Sequence, residues 1–277
     1  MKRRYSYLLK GLTVGTTMVL AGAHFIAPSG REVGDVLVRS MPAIVEPAFA
    51  TPSPAAPTDE SFADATIAAK TITALGAFKA AVRPLSHPEA LEMAFRSYFA
   101  FQRENPDQVK KPFLYFVDYG LPSNQKRGYV FDMQSLRVVD GPFTVAHGRG
   151  SSRSRIGVPT RFSNRHGSYA TSLGLFLAQE TYTFSGKSAG RRYTSVGLRL
   201  LGLSGDYNDN AFSRRVVAHG APYVTAKAAG RSEGCPAIEP QRARQLLPKL
   251  ARGGLVFLFA PDKGWMRGDP WVAASRG

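Results

Sequence analysis

Cysteine is scarce in this chain of 277 residues, because Cys235 is the only one. A single cysteine excludes a disulfide within the chain, and no spacing of cysteine and histidine resembles a pair of zinc ligands. Acidic residues are also few: 20 Asp and Glu stand against 36 Lys and Arg, giving a formal net charge of +16. This excess of basic residues favours anionic partners, such as nucleic acid, an anionic membrane face or a wall polymer.

The amino terminus contains a short apolar stretch without acids or bases, from about residue 12 to residue 26. It falls short of the ~20 residues that a membrane-spanning helix needs. Basic residues at positions 2–4 precede it, which is the layout of a secretory signal. Residues 1–26 are therefore predicted to be a signal peptide, with an uncleaved anchor and membrane association as the alternative. We expect export to the periplasm or cell envelope, which argues against nucleic acid as a partner.

The following part of the chain divides into a linker and a helical segment. Prolines punctuate the Ala-rich residues 27–58, which are predicted to be a linker. Residues 59–111 are predicted to be helical, with one helix over 59–81 and a second that opens at Pro88. The second helix carries apolar residues on one face at helical spacing: Leu91, Ala94, Phe95, Tyr98 and Phe99.

Residues 112–262 have the texture of a strand-rich domain, in which short β-branched and aromatic runs alternate with Gly, Pro, Asn and Asp. The predicted strands cover residues 113–117, 128–131, 143–146, 175–178, 194–199, 216–218 and 255–259. One late helix begins near Pro240 and stops at Gly253. Residues 263–277 are predicted to form a weakly ordered basic tail. With 44% hydrophobic residues, the chain can bury a core of one or two domains.

Cys235 follows the polar, glycine-bounded turn Arg231-Ser-Glu-Gly, sixteen residues after His219. A lone thiol in an exported protein is either inert through burial or retained for its reactivity, and a polar turn favours reactivity. A thiol titrates near ~8.5, so an imidazole that takes its proton is the usual activator. His219 is the best-placed base, because it lies at a strand end and Gly220 turns the chain after it.

Other histidines offer alternatives to His219. His147 has the same setting of a strand followed by glycine and is the rival base. His166 lies in a polar loop and is interpreted as structural or substrate-lining. A metal site built from His147, His219 and Cys235 is a further alternative, although their spacing does not favour it.

The pairing of His219-Gly220 with Ser232-Glu-Gly-Cys235 resembles the signature of YkuD-like L,D-transpeptidases. The runs Val145 to Ser151, Phe162 to Asn164 and Ser172 to Gly174 extend the resemblance to the murein L,D-transpeptidase catalytic domain subgroup, over about residues 112–261. The resemblance implies a mostly β catalytic domain, a β-sandwich with one or two helices, preceded by the short helical segment. It also implies a cysteine acyltransferase that acts on peptidoglycan stem peptides.

The resemblance assigns roles to individual residues. It implies Cys235 as nucleophile and His219 as base and later acid, with the Gly220 carbonyl orienting the imidazole. The remaining candidates are substrate-binding or loop-shaping: Ser232, Gly234, His147, Asn164, Arg214 and Arg231. Many relatives carry His and Arg where this chain has Glu233 and Ala237. An acid beside the thiol raises its pKa, and without that arginine the positioning of substrate falls to Arg231, Arg214 or Arg215.

Three functions remain open from the sequence. The first is an L,D-transpeptidase that transfers the acyl group to an amine acceptor, either a second stem peptide or a protein. The second is an L,D-carboxypeptidase, in which water resolves the same acyl-enzyme. The third is a non-catalytic basic protein that binds the wall. No cofactor is expected, because thiol acyl transfer needs none.

The signal-peptide interpretation predicts the amino terminus of the mature protein. Cleavage after Ala21-Gly22-Ala23 would leave a chain that begins at His24, whereas the more distant motif Ala48-Phe49-Ala50 would leave one that begins at Thr51. Amino-terminal sequencing of the exported protein measures this directly. An intact Met1 would contradict cleavage and leave the anchor.

Overall fold

The computed structural model describes residues 59–273. The predicted signal segment 1–26 and linker 27–58 lie outside the described residues, as do residues 274–277. The described residues form five helices, in chain order: α1 (Asp59–Phe78), α2 (Ala90–Glu104), α3 (Pro240–Leu250), α4 (Lys263–Gly268) and α5 (Pro270–Ala273). No helix among them is both long enough and apolar enough to cross a membrane.

Ten strands make up most of the core. They are β1 (Phe113–Asp118), β2 (Gly128–Asp132), β3 (Arg137–Phe143), β4 (His147–Gly148), β5 (Gly174–Ser188), β6 (Arg191–Gly202), β7 (Val217–Gly220), β8 (Arg231–Ser232), β9 (Ala237–Ile238) and β10 (Leu255–Phe259). Eight of them form one sheet in the order β3-β2-β1-β10-β5-β6-β7-β9, while β4 pairs with β8. The predicted fold class, a mostly β domain with few helices, is confirmed.

In the interior of the sheet, β1 and β10 pair in parallel. Every residue of β10 is buried, as expected for a strand with both faces covered. On one end of the sheet, α3 packs against β6 and β7. Its buried face is Ala243, Leu246, Leu247 and Leu250, and Pro240 opens the helix, as predicted.

The helical segment before β1 is joined to the sheet by an aromatic cluster. The ring of Phe78 on α1 lies 5.4 Å from that of Phe95 on α2 and 4.6 Å from that of Phe131 on β2. The predicted face of α2 is buried in the same core. Beyond α1, the backbone amide and hydroxyl of Ser86 both donate to the buried Asp118 carboxylate at the end of β1. The helices therefore share the core of the strand domain.

The predicted boundaries are wrong at three places. The run 143–146 is not a strand, because β3 ends at Phe143 and β4 begins only at His147. The runs 175–178 and 194–199 belong to a much longer hairpin, β5–β6, whose outer half alternates between half-buried and exposed residues and so lacks an apolar run. Strands β8 and β9 have two residues each, too few to show a sequence period.

The predicted basic tail is also corrected, because α4 and α5 lie within it. Asp262 caps α4 by accepting hydrogen bonds from the amides of Gly264 and Trp265. Trp265 is 3% exposed, and its indole N–H donates to the buried Asp269 carboxylate at 2.8 Å. The Asp262 cap and the buried Trp265 thus contribute to the helical structure of a segment that was predicted to be a weakly ordered tail.

Trp265 should make a large contribution to stability. Trp265→Ala is expected to lower the free energy of unfolding by about 3–5 kcal/mol, since it empties a core position and leaves Asp269 without its indole partner. The measurement is equilibrium urea denaturation of the full chain. Lys263→Ala changes an exposed residue of the same helix and should alter the free energy of unfolding by less than about 0.5 kcal/mol. Equal effects of the two changes would show that the segment is not anchored.

Candidate active site

A cleft of about 700 Å³ opens beside β7 and contains both predicted catalytic side chains. Its walls come from the outer half of the β5–β6 hairpin, from the loop that ends at Tyr169, and from the chain on either side of β8. The lining residues used below are Arg149, Tyr169, Phe184, Tyr193, Arg214, Arg215, His219, Tyr223, Arg231, Ser232, Glu233 and Cys235. The cleft is the place where reactive and charged side chains of the predicted site converge.

His219 is held in one orientation by three neighbours. It lies on β7, paired with Gly197 of β6 on one side and with Ala237 of β9 on the other. Its Nδ1 atom lies 3.1 Å from the carbonyl oxygen of Gly220, which accepts only if Nδ1 carries the proton. The ring stacks on Phe184, with centroids 4.1 Å apart. The free Nε2 atom is thereby left as the proton acceptor of the imidazole.

The environment of His219 keeps the imidazole neutral. The side chain is only 3% exposed, and its burial lowers the pKa to about 4 although the hydrogen bond to Gly220 acts in the opposite direction. A neutral imidazole with a free Nε2 can accept a proton at pH 7. The arrangement is that of a general base.

The turn 231–235 holds Cys235 by hydrogen bonds of Ser232. The Ser232 hydroxyl donates to the carbonyl of Cys235 at 2.7 Å and accepts from the amide of Gly234 at 3.2 Å. Cys235 is half-buried, and its Sγ lies 4.0 Å from the carbonyl oxygen of Arg215. Ser232 and Gly234 therefore shape the loop, which was one of their two predicted roles.

The thiol of Cys235 is protonated at rest. Burial raises its pKa to about 11, while the Val217 backbone amide and Arg214 lower it. Glu233 raises the pKa further, by the smallest of the four effects, in the direction that the sequence predicted. The thiol and His219 are therefore both neutral in the free protein, and the thiolate has to form when the proton moves.

Two glycines bring the turn against the neighbouring loop. A side chain at Gly148 would begin 2.3 Å from the carbonyl oxygen of Tyr169 and 2.8 Å from the Cα of Gly234. Gly234 itself has a φ of +124°, a region that residues with a Cβ avoid. The parallel pairing of β4 with β8 places these two backbones in contact. Glycine is required at both positions for the cysteine turn to lie where it does.

Arg214 and Arg231 are engaged by backbone carbonyls. Arg214 donates to the carbonyls of Ser163 and Ala170, both at 2.8 Å, and to the hydroxyls of Ser168 and Ser172. Arg231 donates to the carbonyls of Ser152 and Arg153, both at 3.0 Å. Both guanidinium groups fix the loop that borders the cleft. Arg215 is instead exposed, with φ of +58°.

His147 and Asn164 lie outside the cleft lining. His147 is fully buried, its Nδ1 lies 3.0 Å from a guanidinium nitrogen of the buried Arg127, and burial lowers its pKa to about 3. Arg127 can only donate, so Nδ1 is the acceptor and is not free to serve the thiol. Asn164 donates to the carbonyl of Asp206 and to Asp209, which ties the loop to a 3₁₀ turn. The geometry supports loop-shaping for both and does not support His147 as the rival base.

His166 and Ala237 have simpler surroundings. His166 lines the cleft as an exposed side chain whose Nε2 lies 3.1 Å from the Ser213 hydroxyl. Ala237 is fully buried in a small apolar cluster that includes Ala146 and Ala221. Among residues 59–273, no group of three or more His, Cys, Asp or Glu could hold a metal ion.

The sequence interpretation missed the aromatic residues of the cleft. Burial raises the pKa values of Tyr193 and Tyr223, whose hydroxyls hydrogen-bond to each other. Phe184 covers His219, and the guanidinium of Arg149 lies 3.6 Å from the ring centroid of Tyr169. The alternation of aromatic and polar residues along β5 was the available signal for the hairpin residues.

Residues 83–259 match the family model of the L,D-transpeptidase catalytic domain. The chain belongs to this family. The match begins within the predicted helical segment and includes α2. This agrees with the core that α2 shares with the sheet. Among curated proteins, none matches the chain.

Solved structures of L,D-transpeptidases are similar to the chain at low identity. An L,D-transpeptidase from Mycobacterium smegmatis is 16% identical, with 54% of this chain and 59% of that chain covered and a TM-score of 0.34. One from Stackebrandtia nassauensis is 15% identical over 63% of this chain and 68% of that one, with a TM-score of 0.34. L,D-transpeptidase 3 from Mycobacterium tuberculosis is 13% identical, covers 53% and 61%, and has a TM-score of 0.30. The chain thus spans about three fifths of the length of the first of these.

The raised thiol pKa predicts a steep pH dependence for chemical modification. The rate at which iodoacetamide alkylates Cys235 should rise about tenfold per pH unit from pH 7 to pH 10, because only the thiolate reacts and its fraction grows until pH reaches about 11. Mass spectrometry of the intact protein measures the rate. Cys235→Ser should give no labelling. A rate that is already constant above pH 8 would contradict a neutral resting thiol.

Proposed function

We propose that this protein is an exported cysteine acyltransferase that forms an acyl-enzyme with peptidoglycan stem peptides. The observation that carries the proposal is the meeting of Cys235 and an oriented, neutral His219 in one cleft of an L,D-transpeptidase catalytic domain. Family membership supports the class of reaction, and the site supplies a nucleophile and a base for it.

The first half-reaction begins with the neutral pair. Nε2 of His219 takes the thiol proton as the Cys235 sulfur attacks the amide carbonyl of the third stem residue. The C–S bond forms, the C–N bond to the terminal D-alanine breaks, and His219 returns the proton to the leaving amine. Because the Gly220 carbonyl accepts from Nδ1, the imidazolium that forms in between is stabilised where it arises.

The charge of the cleft suits a substrate that carries carboxylates. Five cations line it: Arg149, Lys187, Arg214, Arg215 and Arg231. Arg214 donates through both terminal nitrogens to carbonyls and hydroxyls, and Arg231 donates through Nη1 to two carbonyls, whereas the Arg215 side chain makes no hydrogen bond or ion pair among the described residues. We assign substrate positioning to Arg215, which lies beside the turn and whose carbonyl faces the thiol.

The proposed location is the periplasm or cell envelope. It rests on the basic and apolar layout of residues 1–26, and a wall substrate requires it. The net charge of +16 would also hold the protein near anionic envelope polymers.

A mass-spectrometric assay with tetrapeptide muropeptides tests the proposal. Transpeptidation gives cross-linked dimers, hydrolysis gives loss of one alanine per stem, and absence of any product would support binding alone and contradict the proposal. Cys235→Ala should abolish turnover, by more than about a thousandfold, because no other thiol exists in the chain. His219→Ala should slow acyl-enzyme formation by about 10²–10⁴-fold.

Two variants control the assay. Cys235→Ser keeps the size of the side chain and should fold normally while forming no thioester. His87→Ala removes an imidazole that does not line the cleft and should retain activity. Full activity in Cys235→Ala would show that the nucleophile is a different residue.

A further inference from the structure

Glu233 is the feature of the cleft that the proposed acylation does not use. Among the described residues that line the cleft, it is the one acid, against five cations. It lies two residues before the nucleophile, and its charge raises the pKa of the Cys235 thiol. For the first half-reaction, this carboxylate is therefore unfavourable. Its chemistry suits a later step, in which a positively charged partner must approach the same sulfur.

The carboxylate of Glu233 is available to such a partner. Its side chain is 73% exposed, and its only ion pair among the described residues joins Oε1 to Nε of Arg149 at 3.8 Å, a long and solvated contact. Pairs of this kind contribute little stability and are easily exchanged. Arg149 is held independently by its stacking on Tyr169, so Glu233 is not needed to anchor it.

The position of Glu233 relative to the thiol is fixed. The Ser232 hydroxyl bridges the backbone of Gly234 and Cys235 on either side of one turn, and the Gly148 backbone packs against Gly234. The loop that borders the cleft is held as well, because Arg214 donates to the carbonyl of Ser163 and Arg231 donates to that of Ser152. The exposed carboxylate is thus presented from a rigid turn, two residues before the residue that bears the thioester.

We propose that Glu233 selects the acyl acceptor by binding the ammonium group of an incoming amine, so that the acyl-enzyme is resolved by an amine in preference to water. The inference rests on the proposed acyl-enzyme. A cationic amine such as the side-chain ammonium of a diamino acid is the chemical class that the carboxylate recognises, in a cleft that otherwise repels it.

The step can be written with every proton assigned. The bound ammonium loses one proton through the exposed Glu233 carboxylate to solvent and becomes a neutral amine. Its nitrogen attacks the thioester carbonyl carbon, the C–N bond forms, and Nε2 of His219 takes the second proton. The C–S bond then breaks, and the departing sulfur regains that proton from His219. The free thiol and neutral imidazole are restored.

The test compares two acceptors on one acyl-enzyme. The wild-type protein and Glu233→Gln are loaded with a tetrapeptide donor at pH 7.5 and offered either ethylenediamine, which is cationic, or methoxyamine, which is neutral at this pH. Mass spectrometry gives the ratio of amine product to hydrolysis product for each. In Glu233→Gln the ratio for ethylenediamine should fall about tenfold, as expected for loss of one charged contact, while the ratio for methoxyamine stays constant.

A matched control separates this effect from loss of surface charge. Glu104 is likewise exposed and forms an ion pair with Arg103 at 3.6 Å, on α2 and outside the cleft lining. Glu104→Gln should leave both ratios unchanged. Glu233→Asp, which keeps the charge on a shorter side chain, should recover part of the preference for ethylenediamine.

The outcomes distinguish this inference from the proposed function. The inference is wrong if Glu233→Gln forms the acyl-enzyme and keeps the wild-type ratios of amine product to hydrolysis product. It is also wrong if the ratios for both acceptors fall by the same factor, because Glu233 then does not select the acceptor. If the wild-type protein forms no acyl-enzyme from the donor, the proposed function is wrong, and the inference falls with it. Formation of the acyl-enzyme by Glu233→Gln shows in the same experiment that the variant is folded.

Discussion

A short parallel ladder between β7 and β9 holds the imidazole and the thiol in one site. His219 and Gly220 pair with Ala237 and Ile238, and Cys235 precedes this pair by two residues. Two contacts hold this ladder in place. Ala237 of β9 is buried in a small apolar cluster, and α3 packs against β7. The turn that bears Cys235 therefore has both ends tied, one by β8 and one by β9.

Burial and charge act in opposite directions at this site. Burial holds both His219 and Cys235 in their neutral forms, whereas Arg214 and the Val217 backbone amide favour the thiolate. Because the thiolate is the reactive form, this balance keeps the resting thiol poorly reactive toward electrophiles. It also means that the imidazole is ready to accept a proton, whereas the thiol must first lose one to become a nucleophile.

Site residues could be predicted from the sequence where the chemistry or the backbone conformation permits only one or two residue types. The single Cys235, the strand-borne His219 and the glycine-containing turn were predicted, and the structure brings Cys235 and His219 together in the cleft. The long buried strands β1 and β10 were predicted within one residue, because continuous apolar runs mark strands covered on both faces. The order of the ladder and the partners of each arginine depend on distant parts of the chain, so they could not be read locally.

Other errors have the same origin. Asn164 and His147 stand in the same motif-rich region as true cleft residues, and only the fold shows that one ties a loop to Asp206 while the other is buried against Arg127. The carboxyl-terminal segment looked like a solvated tail because two tryptophans carry much of its docking: Trp265 is buried, and Trp271 donates to the carbonyl of Leu203 and packs on Phe101. The amino-acid composition of a segment does not show which of its side chains are buried, although a few buried side chains decide whether it packs on the domain.

The contact between Gly148 and Gly234 and the rim of the cleft can change at different rates. At Gly148 one backbone lies directly against another, with no room for even a methyl group, so a substitution there would displace the turn that bears Cys235. The rim is made of side chains on the outer β5–β6 hairpin and at Glu233, where the structure has open space. Enzymes built on this plan can therefore diverge in the partners they accept while the chemistry beneath remains the same.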